Sequence, residues 1–409
     1  MLRHLLKLIW KRKTRNLMLS LEILLAFVIV FAIAAIGVRN VQLYQLPTGF
    51  GYRDVWSVGL VMGQRLLPGP TAAGAAAPDE LAPVYAQLKR VLEGMPEVER
   101  VAFASNSPYS HSTMSNEFQL PGGERRVATN MLDVSDDFFA VTGMTLLQGR
   151  WFSTQDDGVA ATPVVINRAL AATLFPGQSA LGKVFSDSER EDAVQHMLKV
   201  TGVIEDYRHK GELMTPVNFM FQRAPPERPD GLRTILLKVK PGTERAFEAK
   251  LNAQLKLIRN DWSYEIAPLP AMRASLLRED LIPLMVLAVV GAFMLVMVGF
   301  GLFGVLWQNT TGRIPEIGLR RALGATAGDV YGQIVAEQML LSTAAMLVAL
   351  ALLVQLPLTG ALGAGLNWQV FLIATGVSMM VIYLISLLCA MYPGWRASRL
   401  SPTEALHYE

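Results

Sequence analysis

The chain has 409 residues, of which 17% are charged and 52% hydrophobic. A soluble protein of this size carries about 25% charged residues, so a wholly soluble chain is disfavoured and membrane segments are expected. The net charge of +3 is too small to point to nucleic acid, and the single cysteine, Cys389, leaves no intrachain disulfide to staple a domain.

The N-terminal segment, residues 1–16, carries Arg3, Lys7, Lys11, Arg12, Lys13 and Arg15. It leads into the first of four apolar runs: Leu17–Val38, Leu281–Trp307, Val335–Leu356 and Val370–Met391. Each supplies the roughly 20 residues that cross a hydrocarbon core, and each is apolar all round rather than striped. Basic residues in the short flanks set the orientation. Arg313, Arg320 and Arg321 follow the second run, Arg396 and Arg399 follow the fourth, and the loop at 357–369 has none. Both termini are therefore expected in the cytoplasm, with residues 39–280 outside it. Trp10, Trp307, Tyr392 and Trp395 fall near cytoplasmic ends and Trp368 near an outer end, as interfacial aromatics do.

The N-terminus also has the plan of a cleavable signal peptide, with Ala32-Ile33-Ala34 as its cleavage site. The apolar run continues past that site to Val38 and is interrupted by Glu22, so a retained helix is the preferred reading. Glu22 is itself a candidate functional charge, because a carboxylate inside a membrane helix is costly. Snorkelling to the interface, or pairing with Lys13 or Arg15, is its structural alternative.

Residues 39–280 are enough for one large domain or two small ones. A Pro/Gly/Ala-rich stretch, Leu67–Pro78, reads as a loop. Val55–Met62 reads as a strand, Glu80–Gly94 as a helix and Val98–Ala104 as a strand. The same order returns in Arg233–Val239, Thr243–Arg259 and Ser263–Pro268. Between these β-α-β runs, Arg126–Val134, Pro163–Ile166 and Leu198–Ile204 look like strands, with short helices at Ser135–Thr142 and Asn167–Phe175. The expected architecture is an α-helical membrane protein, four transmembrane helices laid out one plus three, with a large inserted α+β periplasmic domain. Its first subdomain would comprise 39–125 and 230–280, its second 126–229.

Two glycine motifs carry no nucleotide chemistry. The run Gly177 to Lys183 has Walker A spacing, but Val184 stands where Ser or Thr must hold magnesium, and a helix precedes it rather than a strand. An ordinary Gly-rich turn into a strand explains it. Gly299, Gly301 and Gly304 match a dinucleotide fingerprint in letters only, inside the second apolar run, where small residues allow close helix packing. The five histidines, His4, His111, His196, His209 and His407, show no metal-ligand spacing. Neither catalytic residues nor a cofactor or metal on this chain is expected.

The loop at 308–334 is heavily punctuated. Pro315 suits the first helical position, Glu316 the positive end of a short helix, Arg320 and Arg321 its last turn, and Gly324 a left-handed cap. Thr326 to Asp329 then reads as a capping box opening the next helix. A merely topogenic basic loop would explain the arginines but not the two sets of caps. The tail, 392–409, repeats the plan: Pro393 is expected to end the fourth span, and Ser401-Pro402-Thr403-Glu404 to cap a last short helix. Two capped helices on the cytoplasmic side suggest a docking surface for a soluble partner.

At these residues the chain becomes recognisable. Glu316-Ile317-Gly318-Leu319-Arg320-Arg321-Ala322-Leu323-Gly324-Ala325 resembles the coupling-helix motif of the FtsX/MacB-like ABC transporter permeases, and Pro393 to Leu406 resembles their C-terminal signature. Val134 to Phe139, Gly149-Arg150 and Ala180 to Lys183 are similar to the family's periplasmic core. His407 departs from an arginine common there, and no fused ATPase domain is seen.

The resemblance implies a mechanotransmission permease in a bacterial inner membrane, paired with a second permease chain as a homodimer or heterodimer. A cytoplasmic ABC ATPase, holding ATP and magnesium, would dock at Glu316, Ile317, Arg320, Arg321 and Gly324, with Arg396, Arg399 and Glu404 of the tail beside it. Efflux of drugs, peptides or envelope molecules, with a periplasmic adaptor and outer-membrane channel as further partners, is the first expectation. Lipoprotein or lipid extraction would need an apolar collar near Arg39–Tyr52 and Trp262–Leu277. Transport-free regulation of a periplasmic partner, such as a cell-wall hydrolase, is the third reading.

Overall fold

The computed structural model describes residues 13–62, 78–119, 126–187, 197–227, 229, 231–360 and 365–399. Most of the glycine-rich loop after residue 62, the basic residues up to Arg12, and the tail from residue 400 lie outside that set. The chain divides into two units, Leu43–Asp280 and the helical remainder.

Among the described residues the inserted unit contains eleven strands. They are β1 (Val55–Val61), β2 (Val98–Ala104), β3 (Met114–Gln119), β4 (Arg126–Val134), β5 (Leu146–Gly149), β6 (Thr162–Asn167), β7 (Val184–Asp187), β8 (Met197–Ile204), β9 (Phe219–Arg223), β10 (Thr234–Val239) and β11 (Ser263–Pro268). Four of them, in the order β11–β1–β10–β2 and all antiparallel, form the first lobe. Each β-α-β run is thus split by a strand of the other, the ferredoxin-like arrangement. Its helices, Pro78–Glu93 and Ala246–Ile258, pack Leu88, Leu92, Leu251 and Leu255 against Trp56, Val58, Ile235 and Leu237. The alternate residues Val55, Ala102 and Leu236 enter a second core on the other face. Burial on both faces explains why these strands are nearly continuous apolar runs.

The second lobe closes on itself. β4 pairs β3, then β7, β8, β6 and β9 follow, and β9 returns to pair β4 in parallel, a ring of six strands. Val164, Ile166 and Met220 face one core while Val165, Phe219 and Phe221 face the other. β2 joins this ring through one residue pair, Ala104 with Val134. β3 pairs only with β4 and β7, so the division of the lobes falls before Met114 rather than at residue 125. Its alternation of polar and apolar residues is short and mixed, as is that of β5, and neither is legible in the sequence, whereas β7 follows the Gly-rich turn that leads into a strand.

The helical unit is built on four helices long and apolar enough to cross a membrane. They are α1 (Lys13–Gln45), α2 (Leu269–Thr311), α4 (Ala327–Leu353) and α5 (Trp368–Arg399), numbering only the helices of this unit; α3 is the short Ile314–Ala322. At about 1.5 Å per residue, α2 is roughly 65 Å long, twice the thickness of a hydrocarbon core. Pro393 does not end α5, which continues through it to Arg399. Its ring is buried and the helix is held on both sides by packing of Ala390 and Ala397, so the missing N–H costs one ladder bond without stopping the helix. Between α4 and α5, Ser342 bonds Ser386 at 2.8 Å and Thr343 bonds Tyr383 at 2.8 Å, polar links of the kind that fix helix pairs in lipid.

Candidate functional site

α3 lies between two turns of defined chemistry. Pro315 occupies its first turn, one position later than the sequence suggests, since Ile314 already begins the helix. At the other end Gly324, at φ +101°, donates to the Arg321 carbonyl while Ala325 donates to that of Arg320. This is the Schellman pattern, which needs a residue free to take positive φ. Thr326 and Asp329 then form the expected capping box: the Asp329 amide donates to Thr326 Oγ1 at 3.2 Å, and the Thr326 amide to Asp329 Oδ2 at 2.9 Å.

One face of α3 is buried. Ile317 packs with Val330, Ile334 and Ala397, so it anchors the helix inward. A polar relay runs beside this contact. Arg313 donates to Glu337 at 2.5 Å, Gln333 to the other oxygen of Glu337 at 2.9 Å, and Arg320 to both Gln333 and Glu316. These groups line a cavity of about 60 Å³ together with Asn309 and Gln338. Arg321 donates to the Ser398 carbonyl at 2.9 Å, tying α3 to the end of α5. Arg396 lies over the Trp307 ring and Arg399 over Trp395, each at 4.5 Å. Glu404 lies outside the described residues. What α3 presents outward is apolar: Leu319 is 56% exposed and Leu323 80%, four residues apart on one stripe with Pro315.

Glu22 is half-buried, and its carboxylate lies against Gly301, where any Cβ would collide with it. It makes no ion pair among the described residues; the side chains of Lys13 and Arg15 are outside them. Gly299 likewise sits close to Cys389, whose thiol donates to the Gly299 carbonyl, while Gly304 has open space. Close packing thus accounts for Gly301, whereas a Cβ at Gly299 would meet Cys389 at an ordinary contact distance. In the inserted unit the Gly177–Lys183 stretch is the expected turn into β7, with the Gly182 amide bonded to the Val200 carbonyl.

A cluster invisible in the sequence lies on the loop between β8 and β9. Arg208 has no exposed surface, and its guanidinium donates to the carbonyls of Leu43, Leu46, Pro47, Glu212 and Met214. Leu43 belongs to the last turn of α1, where the dipole is negative, and its carbonyl also accepts from the Leu46 amide at 3.1 Å. Gly49, at φ +86°, lets the chain press against the Asp206 carbonyl, and the Arg208 amide donates to Thr48 at 2.9 Å. Glu212, 7% exposed, pairs with Arg273 near the start of α2 at 2.5 Å. Arg273 also reaches the Tyr44 hydroxyl and lies over the Tyr52 ring. His209 is buried against Thr113, and that burial, with Lys210 nearby, pushes its pKa down to about 4. The basic triplet Arg208-His209-Lys210 was the only sequence signal, and it reads as solvated charge.

Comparison with known proteins places both regions. The family model described as "MacB-like periplasmic core domain" matches residues 17–254, and that described as "FtsX-like permease C-terminal" matches 288–402. An uncharacterized ABC transporter permease YknZ of Bacillus subtilis is 26% identical, over 68% of this chain and 69% of its own. A macrolide export ATP-binding/permease protein MacB of Bdellovibrio bacteriovorus is 24% identical, over 69% of this chain but 44% of its own. The chain therefore spans less than half of the MacB relatives. The crystal structure of the periplasmic region of MacB from Actinobacillus actinomycetemcomitans aligns with 14% identity and a TM-score of 0.37, covering 57% of this chain and 97% of that one.

Proposed function

This chain belongs to the FtsX/MacB-like permease family, a multi-pass membrane protein with a MacB-like core domain inserted after its first helix, and from that premise we propose that it couples ATP hydrolysis by a separate cytoplasmic ATPase to movement of that domain. In this reading both termini are cytoplasmic, the inserted domain is periplasmic and the membrane is the bacterial inner membrane. The ATP and magnesium belong to the partner. The product of the movement is efflux of drugs, peptides or other envelope molecules, with an adaptor and outer-membrane channel as further partners.

The observation that carries the reading is α3. It is closed at its C-terminal end by the Gly324 turn, fastened inward by Ile317 and the Arg313–Glu337 relay, and exposes Leu319 and, just past its end, Leu323. A rigid helix with an exposed leucine stripe suits a groove on a soluble partner. Glu316, Arg320 and Arg321 then border the contact while holding α3 in place. A second permease chain is supported by α2, whose apolar segment is only 11% buried against 39% for α5. Lipid extraction is the weaker reading. Val41, Tyr44 and Leu46 are exposed, but Phe50, Trp262, Leu269 and Leu276 are shut inside the domain's own cores rather than open as a collar.

The test is co-purification and stimulated ATP hydrolysis with the ATPase subunit, using Leu319→Glu with Leu323→Glu, and separately Glu316→Lys with Arg321→Glu. Both sets are expected to weaken binding, the leucine pair by at least about tenfold, the scale of losing two buried side chains. Binding and stimulation unchanged in both would sink the proposal.

A further inference from the structure

The guanidinium of Arg208 reaches two stretches of chain at once. On one side are the carbonyls of Leu43, Leu46 and Pro47 at the end of α1; on the other are those of Glu212 and Met214 in the loop. Its Nε, Nη1 and Nη2 all donate, in a planar fork. A shift of the helix end relative to the loop breaks these bonds, of which those to Leu43 and Glu212 are fully buried. The loop's own ends are β8 and β9, both members of the six-stranded ring. Glu212 adds a second tie, to Arg273 in the second turn of α2, and Arg273 closes the triangle on Tyr44 of α1.

We infer that Arg208, Glu212 and Arg273 are a clasp that converts displacement of the α1 and α2 ends into movement of the six-stranded lobe; the inference rests on the ATP-coupled reading and supplies its positioning residues. Two further features suit an element with a second arrangement. Tyr109, which donates its amide to the His209 carbonyl, holds φ at +60°, uncommon for an aromatic residue. Among the described residues, the buried atoms Tyr207 Oη, His209 Nδ1 and Glu212 Oε2 make no hydrogen bond, so the loop is not fully satisfied as packed.

The experiment is amide hydrogen exchange on the full chain in nanodiscs, alone and with its ATPase, with and without a non-hydrolysable ATP analogue. Glu212→Gln and Arg273→Gln are compared with Lys250→Gln, which breaks the surface pair with Glu97. In the chain alone, each clasp variant is expected to speed exchange of the Arg208 and Gly211 amides by about tenfold, as local opening becomes cheaper, and the control to leave them unchanged. Exchange altered only around the substituted residue would overturn the clasp whatever the ATPase does. With the ATPase, the clasp variants should keep the nucleotide response at 314–326 and stimulated hydrolysis while losing it at 206–223. A response retained at 206–223 contradicts the clasp. A wild-type chain without any response at 314–326 counts against the ATP-coupled reading, with the first arm still deciding the clasp.

Discussion

Arg313 and Arg208 each fasten the end of a long helix, and the difference lies in what accepts their protons. Arg313, just after α2, meets the carboxylate of Glu337 within a relay of side chains. Arg208 meets only backbone carbonyls, three of them at the end of α1. A side-chain relay can be rebuilt by exchanging charges; a carbonyl clasp cannot, because its acceptors belong to every sequence. The α3 region should therefore tolerate compensated changes, and Arg208 should tolerate none.

The largest expected effect breaks the clasp side. Arg208→Met removes five hydrogen bonds, two of them fully buried, and should lower the stability of the inserted domain by about 3–5 kcal/mol, measured by thermal unfolding of the full chain in nanodiscs. Next comes acid. His209 has a folded pKa of about 4, below its usual 6.5, so it favours the folded state at high pH. That contribution is complete above pH 6.5 and drains as pH falls towards 4, up to about 3 kcal/mol. Asp133, raised by burial to about 6, works in the opposite sense as pH falls, so the comparison must be with His209→Gln in the same chain, which should flatten the acid limb. A limb equally steep in the variant would remove His209 from the account.

On the α3 side, Arg313→Glu or Glu337→Arg alone should cost about 1–3 kcal/mol, and the exchange of both should recover most of it. Failure of the double variant to recover would erase the contrast between relay and clasp. The smallest effect is Thr326→Ala, which removes one cap and should cost about 1 kcal/mol, read as faster amide exchange at Asp329.

This contrast also decides what the sequence could reveal. The caps of α3 and α4 are local signals: Gly324, Thr326 and Asp329 announce themselves because each acts within a few residues. The four apolar runs and the two β-α-β units of the first lobe were legible for the same reason, being patterns of composition and period. The closure of the second lobe was not, since it depends on the parallel pairing of β9 with β4, ninety residues apart. Pro393 misleads because its stopping effect is overridden by packing. Arg208 is hidden most deeply, because carbonyl acceptors leave no trace in residue types.

The central claim is that nucleotide on the partner moves the inserted domain through this chain. Spin labels at Leu257→Cys in that domain and Leu358→Cys in the helical unit, both strongly exposed, report it directly in the full complex. The account predicts that the distance distribution between them shifts when the ATPase is locked with ATP and returns after hydrolysis. An identical distribution in both states, with the ATPase bound and turning over, would contradict it.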